Sequence, residues 1–289
     1  MKIDTDKFRA APGKRVRLAR WATKTKPFYK SDKHYRELLV EDVRQLSGLQ
    51  RMLYASNTYS VLLIFQAMDA AGKDGAIAHV LSGVNPEGCE VFSFKAPSEE
   101  ESEHDFMWRT TCRLPARGRI GVFNRSYYEE VLIVRVHPEI LRAQRLPPEL
   151  AREGDIWDGR YRSIVEFEKH LHRNGTRVIK FFLHLSKAEQ RRRFLERIDD
   201  PSKNWKFSMA DMKERGRWND YVKAYEECLE ATSIKGAPWH IVPADDKLNA
   251  RLVVSRIVIE ALKGLKLGFP RVTRAQKQEL KEIRKRLTR

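Results

Sequence analysis

"SVLLIFQAMDAAGKDGAI", residues 60–77, decides how this chain folds. A run of β-branched, leucine and aromatic side chains ends in a turn of small residues, and Gly72 and Lys73 follow the turn. This order predicts a buried strand, a tight loop whose backbone N–H groups surround phosphate oxygens, and a helix whose N-terminal dipole faces the phosphate. In such a loop, Gly72 allows the backbone to approach the phosphate and Lys73 supplies the cation.

Two positions depart from the usual form of a phosphate-binding loop. Ala67 stands where the first glycine is usual, and Asp74 stands where a serine or threonine follows the lysine. Alanine is acceptable if its backbone dihedrals are ordinary. Asp74 and the nearby Asp69 add negative charge, and we expect both to hold Mg²⁺, a hard cation that prefers oxygen ligands. The alternative is an ordinary polar turn, but the strand before it and the helix after it favour a phosphate site.

Length and composition indicate a globular protein. The 289 residues suffice for one large α/β domain, and 42% hydrophobic with 33% charged residues is typical of a folded chain. The longest apolar run, 61–65, is far shorter than the roughly 20 residues of a membrane span, and the charged N-terminus does not resemble a secretory signal. Three cysteines lie far apart without metal-ligand spacing, which predicts reduced thiols and a cytoplasmic protein.

The net charge predicts a polyanionic partner. The chain has 56 Lys and Arg residues against 39 Asp and Glu residues, a formal charge of +17. Nucleic acid, an anionic membrane and a long phosphate chain would each suit this excess. A solvated basic surface is the other interpretation, and composition alone does not choose among the polyanions.

Strand and helix patterns alternate along the chain, which predicts a parallel sheet with helices on both faces. The predicted strands are 61–66, 90–94, 120–123, 177–185 and 239–242. Helices are predicted over 31–53, from residues 73, 98 and 126, and over 158–173, 187–198 and 208–232. No repeat or long linker divides residues 1–289, so we expect one domain, with a basic N-terminal extension (1–30) and a basic C-terminal helix (268–289).

A second candidate stretch is "GRIGVFNRSYYEE", residues 118–130. A short apolar strand ends at Asn124, where related folds carry an acidic metal ligand. An amide carbonyl can still contact Mg²⁺, directly or through water, and the missing charge would then come from Asp69 and Asp74. Arg125 follows directly and is placed to hold a phosphate. Read alone, Asn124 is as well explained as a polar cap before a helix.

A third candidate is the basic segment "EQRRRFLERIDDPSKNWKFSMADMKERGRWNDY", residues 189–221. Its cations would neutralise phosphate charge if the segment closed as a lid over about 193–220. A solvated basic helical hairpin is the alternative. The residues predicted to bind phosphate from this lid are Arg193, Arg197, Lys203 and Lys206.

Together these stretches resemble the polyphosphate kinase 2 family, over about residues 14–262. The matching words are "DAAGKDG", "SGVNPEGCEVFSFKAPS", "HDFMWR", "PARGRIGVFNRSYYEEVLIVRVHP", "RFLERIDDPSKNWKFS", "RWNDY" and "APWHIVPADDK". The asparagine of "FNRSYYEE", in place of the aspartate of other branches, is similar to the branch called class III, which is associated with phosphorylating both nucleoside mono- and diphosphates.

The resemblance implies a P-loop kinase fold with a helical lid, and a loop that binds inorganic polyphosphate with Mg²⁺. By position, it implies catalytic roles for Asp69, Lys73, Asn124 and Arg125. It also implies AMP, ADP and ATP as nucleotide partners, with guanine nucleotides as further candidates, and assembly as a homo-oligomer. We expect neither nucleic acid nor a membrane as a partner.

These expectations combine into a Mg²⁺-dependent phosphotransferase that passes a phosphoryl group from polyphosphate to AMP or ADP. An ATP-using nucleoside monophosphate kinase is the enzyme alternative, although its loop would normally carry Ser or Thr in place of Asp74. A basic nucleic-acid-binding protein would also explain the charge. The chain shows none of the usual recognition motifs, however, and its aromatic residues are scattered.

Overall fold

The computed structural model describes residues 3–151 and 155–288, with the backbone alone at residues 155 and 206. The predicted strands are present within one or two residues of their expected bounds. All eight residues of the first strand are buried, as its continuous apolar run predicts for a strand covered on both faces. The strands are β1 (Ser60–Ala67), β2 (Cys89–Ser93), β3 (Ile120–Asn124), β4 (Thr176–His184) and β5 (Trp239–Pro243).

The strands form a single five-stranded sheet in the order β2-β3-β1-β4-β5. Every pairing is parallel, and β1 lies in the centre with Leu62 opposite Gly121 of β3 and Val178 of β4. The chain leaves β1 toward one edge of the sheet and later returns to the other side. Ligands of open α/β sheets bind at such a switch point, beside the carboxyl ends of the strands. The loop after β1 lies at that point.

Helices cover both faces of the sheet. Alternate side chains of the strands enter two separate cores, one under α1, α2 and α11 and one under α7 and α10. The prediction of a mixed α/β fold with a parallel sheet flanked by helices is confirmed. The helices are α1 (Asp32–Ser56), α2 (Lys73–Val80), α3 (Glu99–Glu103), α4 (Trp108–Thr111), α5 (Ile133–Val136), α6 (Pro138–Ala143), α7 (Asp155–Arg173), α8 (Lys187–Asp199), α9 (Met209–Gly216), α10 (Trp218–Thr232), α11 (Lys247–Gly264) and α12 (Arg274–Leu287).

The N-terminal segment lies along the outer edge of β5. Ala10 donates its N–H to the carbonyl of Trp239 at 2.9 Å, and Arg9 forms an antiparallel bridge with His240. Further on, Asp245 donates its N–H to the carbonyl of Thr23 at 2.9 Å. The segment therefore covers a strand edge that would otherwise expose unpaired N–H and C=O groups.

Two helical predictions were too simple. The helix expected over 208–232 is interrupted at Arg217, whose backbone (φ −87°, ψ 19°) leaves the helical region between α9 and α10. The helix expected from residue 126 is a 3₁₀ turn (Tyr127–Val131) followed by α5 and α6, with Pro138 opening α6. Proline has no N–H and suits the first turn of a helix but not its interior, so Pro138 marks the start of a separate helix.

At the C-terminus, α12 is exposed along its whole length and begins with a capping box at Thr273 and Gln276. Its stripe of Leu280, Ile283 and Leu287 is exposed rather than packed. Across residues 3–151 and 155–288, we find no helix that is both long and apolar enough to cross a membrane.

Candidate active site

The loop between β1 and α2 has the backbone of a phosphate site. Gly72 caps α2 with a φ of 98°, a value that L side chains rarely adopt. Ala70 also has a positive φ, 63°, which costs an alanine about 1–2 kcal/mol and requires neighbours to hold it. Ala67 is not among the positive-φ residues of the described chain. Its backbone dihedrals are therefore ordinary, and an alanine is acceptable where the first glycine is usual.

The carbonyl groups of this loop are held from behind by α8. Gln190 donates its Nε2 to the carbonyl of Asp69 at 3.0 Å. Arg193 donates Nη1 to the carbonyls of Ala70 and Ala71, both at 2.9 Å. Because three successive carbonyls are engaged on the α8 side, the opposite side of the loop is left for N–H groups to face a ligand.

Arg193 therefore occupies a place that the sequence does not indicate. Its side chain is 3% exposed, and its Nη2 donates to the carbonyl of Ala244 at 2.6 Å while its Nε donates to Glu189 at 2.7 Å. The guanidinium lies behind the loop and is already fully engaged by the protein. Phosphate binding by Arg193 stays a prediction, and the contacts instead make Arg193 a brace for the loop.

Lys73 opens α2 and folds back over the loop. Its Nζ donates to the carbonyl of Ala67 at 3.1 Å. Burial lowers the pKa of Lys73 and neighbouring Arg125 adds to the effect, while the carboxylates of Asp69 and Glu129 oppose it. The ammonium group is thus held among charges of both signs, at the mouth of the loop, where a phosphate would supply the negative charge that it lacks.

Asn124 and Asp74 lie side by side, although they are 50 residues apart. The amide Nδ2 of Asn124 donates to Oδ1 of Asp74 at 2.7 Å and to the hydroxyl of Ser93 at 3.4 Å. No group of three or more His, Cys, Asp or Glu residues arranged to hold a metal is found within the part of the chain that the structure describes. The pair still fits Mg²⁺, which proteins usually bind through one or two carboxylates together with substrate phosphates.

Arg125 stands where three cavities meet. Its backbone has a φ of 64°, and its N–H donates to the carbonyl of Phe65 at 3.1 Å, which fixes the turn after β3. Its Nη2 lies 3.7 Å from Oδ1 of Asp69, and the carboxylates of Glu129 and Asp69 raise the pKa of Arg125 against the effect of burial. The side chain lines all three cavities described next.

The first cavity, the loop cleft, runs along residues 69–76 and has a volume of about 700 Å³. The structure places Arg197 and Lys203 on its wall, as the sequence predicts for the lid. The side chain of Lys206 lies outside the described residues. Three further cations on the wall, from the segment after β2 and from α11, were not found from the sequence: Lys95, Lys247 and Arg251.

The second and third cavities open from the other side of Arg125. The lid cavity, about 300 Å³, is closed by residues of α9 and α10, including Arg215, Trp218 and Tyr221. The Arg160 cavity, about 460 Å³, is lined by apolar side chains such as Phe106 and Ile140 together with polar and charged ones, including the buried Arg109 and Arg160. A substrate in either cavity would reach the loop cleft past Arg125.

Glu129 is a site residue that the sequence analysis missed. It lines both the lid cavity and the Arg160 cavity and faces Arg125 and Lys73. Burial raises the pKa of Glu129, and the two cations oppose that rise. The sequence predicts a helix from residue 126, whereas the 3₁₀ turn Tyr127–Val131 is what places Glu129 near Arg125.

His137 connects the lid to the body of the protein. Its Nε2 lies 2.9 Å from Oε2 of Glu214 on α9, and its Nδ1 lies 2.8 Å from Oε1 of Glu139. Tyr221 donates its hydroxyl to the same Glu214 carboxylate at 2.5 Å, and Arg217 donates to the carbonyl of Val136 at 2.8 Å. Burial alone would lower the pKa of His137, but the hydrogen bonds with Glu214 and Glu139 outweigh it and raise the pKa.

We expect this contact to weaken as the pH rises. Because the folded pKa of His137 is raised above its ordinary value of 6.5, its stabilisation is complete below that value and is lost as the pH rises through the folded pKa. The melting temperature of wild type should exceed that of His137→Gln at about pH 6, and the difference should shrink toward about pH 8. A difference that does not change with pH would contradict this charge dependence.

Comparison with known proteins identifies the family of this chain. Residues 29–269 match the polyphosphate kinase 2 family. The chain belongs to the polyphosphate kinase 2 family. The solved polyphosphate kinase 2 from Arthrobacter aurescens is similar in structure, with a TM-score of 0.84, 39% identity and 95% of each chain covered. The P-loop kinase fold inferred from the motifs is confirmed for this family member.

Two curated relatives show the range of named activities. The ADP-polyphosphate phosphotransferase of Rhodopseudomonas palustris is 61% identical over 287 residues, which is 99% of either chain. The AMP/ADP-polyphosphate phosphotransferase of Meiothermus ruber is 42% identical, over 91% of this chain and 95% of that one. As a polyphosphate kinase 2 family protein, the chain is an enzyme that transfers phosphate.

Proposed function

We propose that this enzyme transfers a phosphoryl group from inorganic polyphosphate to AMP or ADP, giving ADP or ATP, in a reversible and Mg²⁺-dependent reaction. The observation that carries the proposal is the position of Arg125. It lies between the loop cleft, which has cations suited to a phosphate chain, and two cavities suited to a second substrate. A group transferred between the two substrates would pass beside this guanidinium.

The donor side is built for a chain of phosphates. The loop N–H groups, the N-terminus of α2 and Lys73 would hold the reacting phosphates. Farther along the cleft, the wall carries Lys95, Arg197, Lys203, Lys247 and Arg251. A polyphosphate chain offers no sequence or side groups to recognise, so an extended row of positive charge is the recognition that suits it.

The acceptor side suits a nucleotide. The Arg160 cavity joins apolar side chains, which would cover a base, to the buried guanidinium groups of Arg109 and Arg160. Arg109 is held by the carbonyl of Lys95 at 2.9 Å and Arg160 by the carbonyl of Glu130 at 2.9 Å, so both are rigid. The terminal phosphate of the acceptor would then lie against Arg125.

The reaction itself needs little acid–base chemistry. An oxygen of the acceptor's terminal phosphate is already an anion; it forms a bond to the last phosphorus of the chain as the bridging P–O bond breaks. The shortened chain leaves with the bond's electron pair as an oxyanion. Positioning and charge neutralisation by Lys73 and Arg125 are therefore the main catalytic contributions, as in other phosphoryl transfers.

Asp74 and Asn124, with Asp69 nearby, would hold the Mg²⁺ ion. When bound, the ion would neutralise charge on the phosphate oxygens. Asp69 also faces Arg125, so its carboxylate would contact both this guanidinium and the Mg²⁺ ion. The proposal extends to a cytoplasmic location, supported by three free cysteines, and to a homo-oligomer, supported by family membership.

The test is a product assay. We would incubate the enzyme with AMP, ADP, GMP or GDP and Mg²⁺, with polyphosphate or ATP as the only donor, and identify the nucleotides formed. ATP made from ADP and polyphosphate supports the proposal. Transfer from ATP to AMP without any use of polyphosphate would favour the nucleoside monophosphate kinase alternative. Duplex DNA matched in phosphate concentration should compete poorly with polyphosphate; equal competition would favour unspecific polyanion binding.

A metal titration tests the carboxylates. Asp74→Asn should raise the Mg²⁺ concentration needed for half-maximal rate several-fold, since a ligand charge is lost while the shape is kept. Asn124→Asp is the matched variant: it should retain Mg²⁺ binding and change the ratio of AMP to ADP phosphorylation. An unchanged Mg²⁺ midpoint in Asp74→Asn would argue against a metal role for that residue.

A further inference from the structure

Gln190 connects the lid helix α9 to the phosphate-binding loop through the two ends of one amide. Its side chain is 3% exposed at the start of α8. On one side, Nε2 donates to the carbonyl of Asp69 at 3.0 Å. On the other side, Oε1 accepts from Nη1 of Arg215, in the last turn of α9, at 2.8 Å. Arg215 also donates to the carbonyl of Lys187 at 2.9 Å.

The chemistry of an amide makes these two contacts interdependent. An amide has a donor end and an acceptor end, and a carbonyl accepts while a guanidinium only donates. With the opposite orientation, Oε1 would face the Asp69 carbonyl and the NH₂ group would face Arg215, so both contacts would be lost. Arg215 in place on α9 therefore favours the one orientation of Gln190 in which the loop carbonyl receives its hydrogen bond.

The loop end of this contact is close to the reacting groups. The Asp69 carbonyl belongs to the residue whose carboxylate faces Arg125 at 3.7 Å, and it precedes Ala70, whose φ of 63° requires support. The lid end is secured beside it, since Glu214 contacts His137 and Tyr221. Gln190, Arg215, Asp69 and Arg125 all line the lid cavity.

We infer that Gln190 is a positioning residue that couples the docking of α9 to the conformation of the phosphate-binding loop. With α9 docked, Arg215 fixes the amide and the amide fixes the Asp69 carbonyl. With α9 displaced, the amide is free to turn and the loop loses one of its supports from α8. The inference rests on the proposed phosphotransferase function, because the effect of the loop conformation is measured as the rate of phosphoryl transfer.

A double-mutant cycle tests the coupling. Gln190→Met, Arg215→Met and the double variant would be compared in kcat, with both substrates saturating, and in melting temperature. Each single variant should lose about tenfold in kcat, and the double variant should lose about the same rather than a hundredfold, because either change breaks the same connection. Lys213→Met, which removes an exposed charge from the same helix, is the control and should retain wild-type kcat.

Gln190→Glu separates positioning from packing. The carboxylate keeps the shape of the side chain and accepts from Arg215, but it has no N–H for the Asp69 carbonyl. We expect its kcat to fall as in Gln190→Met with both KM values near wild type, and a lower melting temperature because the Asp69 carbonyl loses its donor. Full kcat in Gln190→Glu, or losses that multiply in the double variant, would overturn the inference while the wild type stays active. A wild type unable to use polyphosphate would overturn the proposed function and this inference together.

Discussion

Lys73→Ala should lower the kcat of polyphosphate-dependent ATP formation at least about a hundredfold, equivalent to about 3 kcal/mol of transition-state stabilisation. Lys73 is the cation at the mouth of the loop, and its Nζ donates a hydrogen bond to the Ala67 carbonyl at 3.1 Å, which uses one of its three donors. A phosphate would therefore find this ammonium group available. The other side chains in the first turn of α2, Asp74 and Ala76, are not cations, so neither would replace it.

The variant should remain folded, because Lys73 is only half-buried and supports no part of either core. Lys281→Ala on the exposed α12 is a control for the loss of one lysine. Lys73→Arg keeps the charge but changes its reach and geometry, and we expect it to recover only part of the rate. Near-wild-type kcat in a folded Lys73→Ala protein would refute the assignment of the phosphate-binding loop.

Local patterns in the sequence were sufficient to predict the strands of the sheet and the phosphate-binding loop. The strands are short apolar runs, and a strand covered on both faces needs little else to be recognised. The main failure was α11, for which the pattern gives no prediction. Its stretch "RLVVSRIVIEAL" is rich in β-branched residues and apolar on every side, which does not distinguish a buried helix from a strand by periodicity. The buried side chains of α11 pack in the core beneath the loop.

The residues of the site divide in the same way. Asn124 and Asp74 were found because each ends or follows a strand at the carboxyl edge of the sheet. Lys247 and Arg251 were missed because their position in the loop cleft depends on how α11 packs. No short sequence motif predicts that packing. Lys95 was within reach, since it follows β2 closely, as Arg125 follows β3. In this protein, the residues that follow the carboxyl ends of the parallel strands predict the site better than runs of charged residues do.

Arg193 shows why runs of charge mislead. "RRRF" places three arginines in succession, and the sequence analysis assigns phosphate binding to the last of them, Arg193. A helix turns by about 100° per residue, so neighbouring arginines must face different surroundings. Arg192 is on the surface with Glu189 and Glu196, while Arg193 is buried against the loop. The packing of α8 against the phosphate-binding loop decides which arginine is buried and which is exposed.

Arg193→Met should therefore reduce stability as well as rate. The change leaves the carbonyls of Ala70, Ala71 and Ala244 without their donor, and Glu189 keeps only its contact with the exposed Arg192. Unpaired buried groups of this kind cost about 3 kcal/mol in the free energy of unfolding. For a chain of this size, that corresponds to a melting temperature lower by roughly 6 °C. We also expect kcat to fall at least about tenfold, because the loop loses its support at the strained Ala70.

Arg197→Met on the same helix is the matched comparison, because Arg197 lies on the wall of the loop cleft one turn later. It should raise the KM for polyphosphate several-fold and change the melting temperature little, because Arg197 lines the cleft and its guanidinium lies over the Phe194 ring rather than bracing the loop. If Arg193 instead binds phosphate, the two variants should behave alike. A higher KM for polyphosphate in Arg193→Met, with full stability and unchanged kcat, would show that the guanidinium turns from the loop carbonyls to the substrate. Opposite profiles for two arginines four residues apart would establish that α8 carries a brace in one turn and a substrate contact in the next turn of the same face.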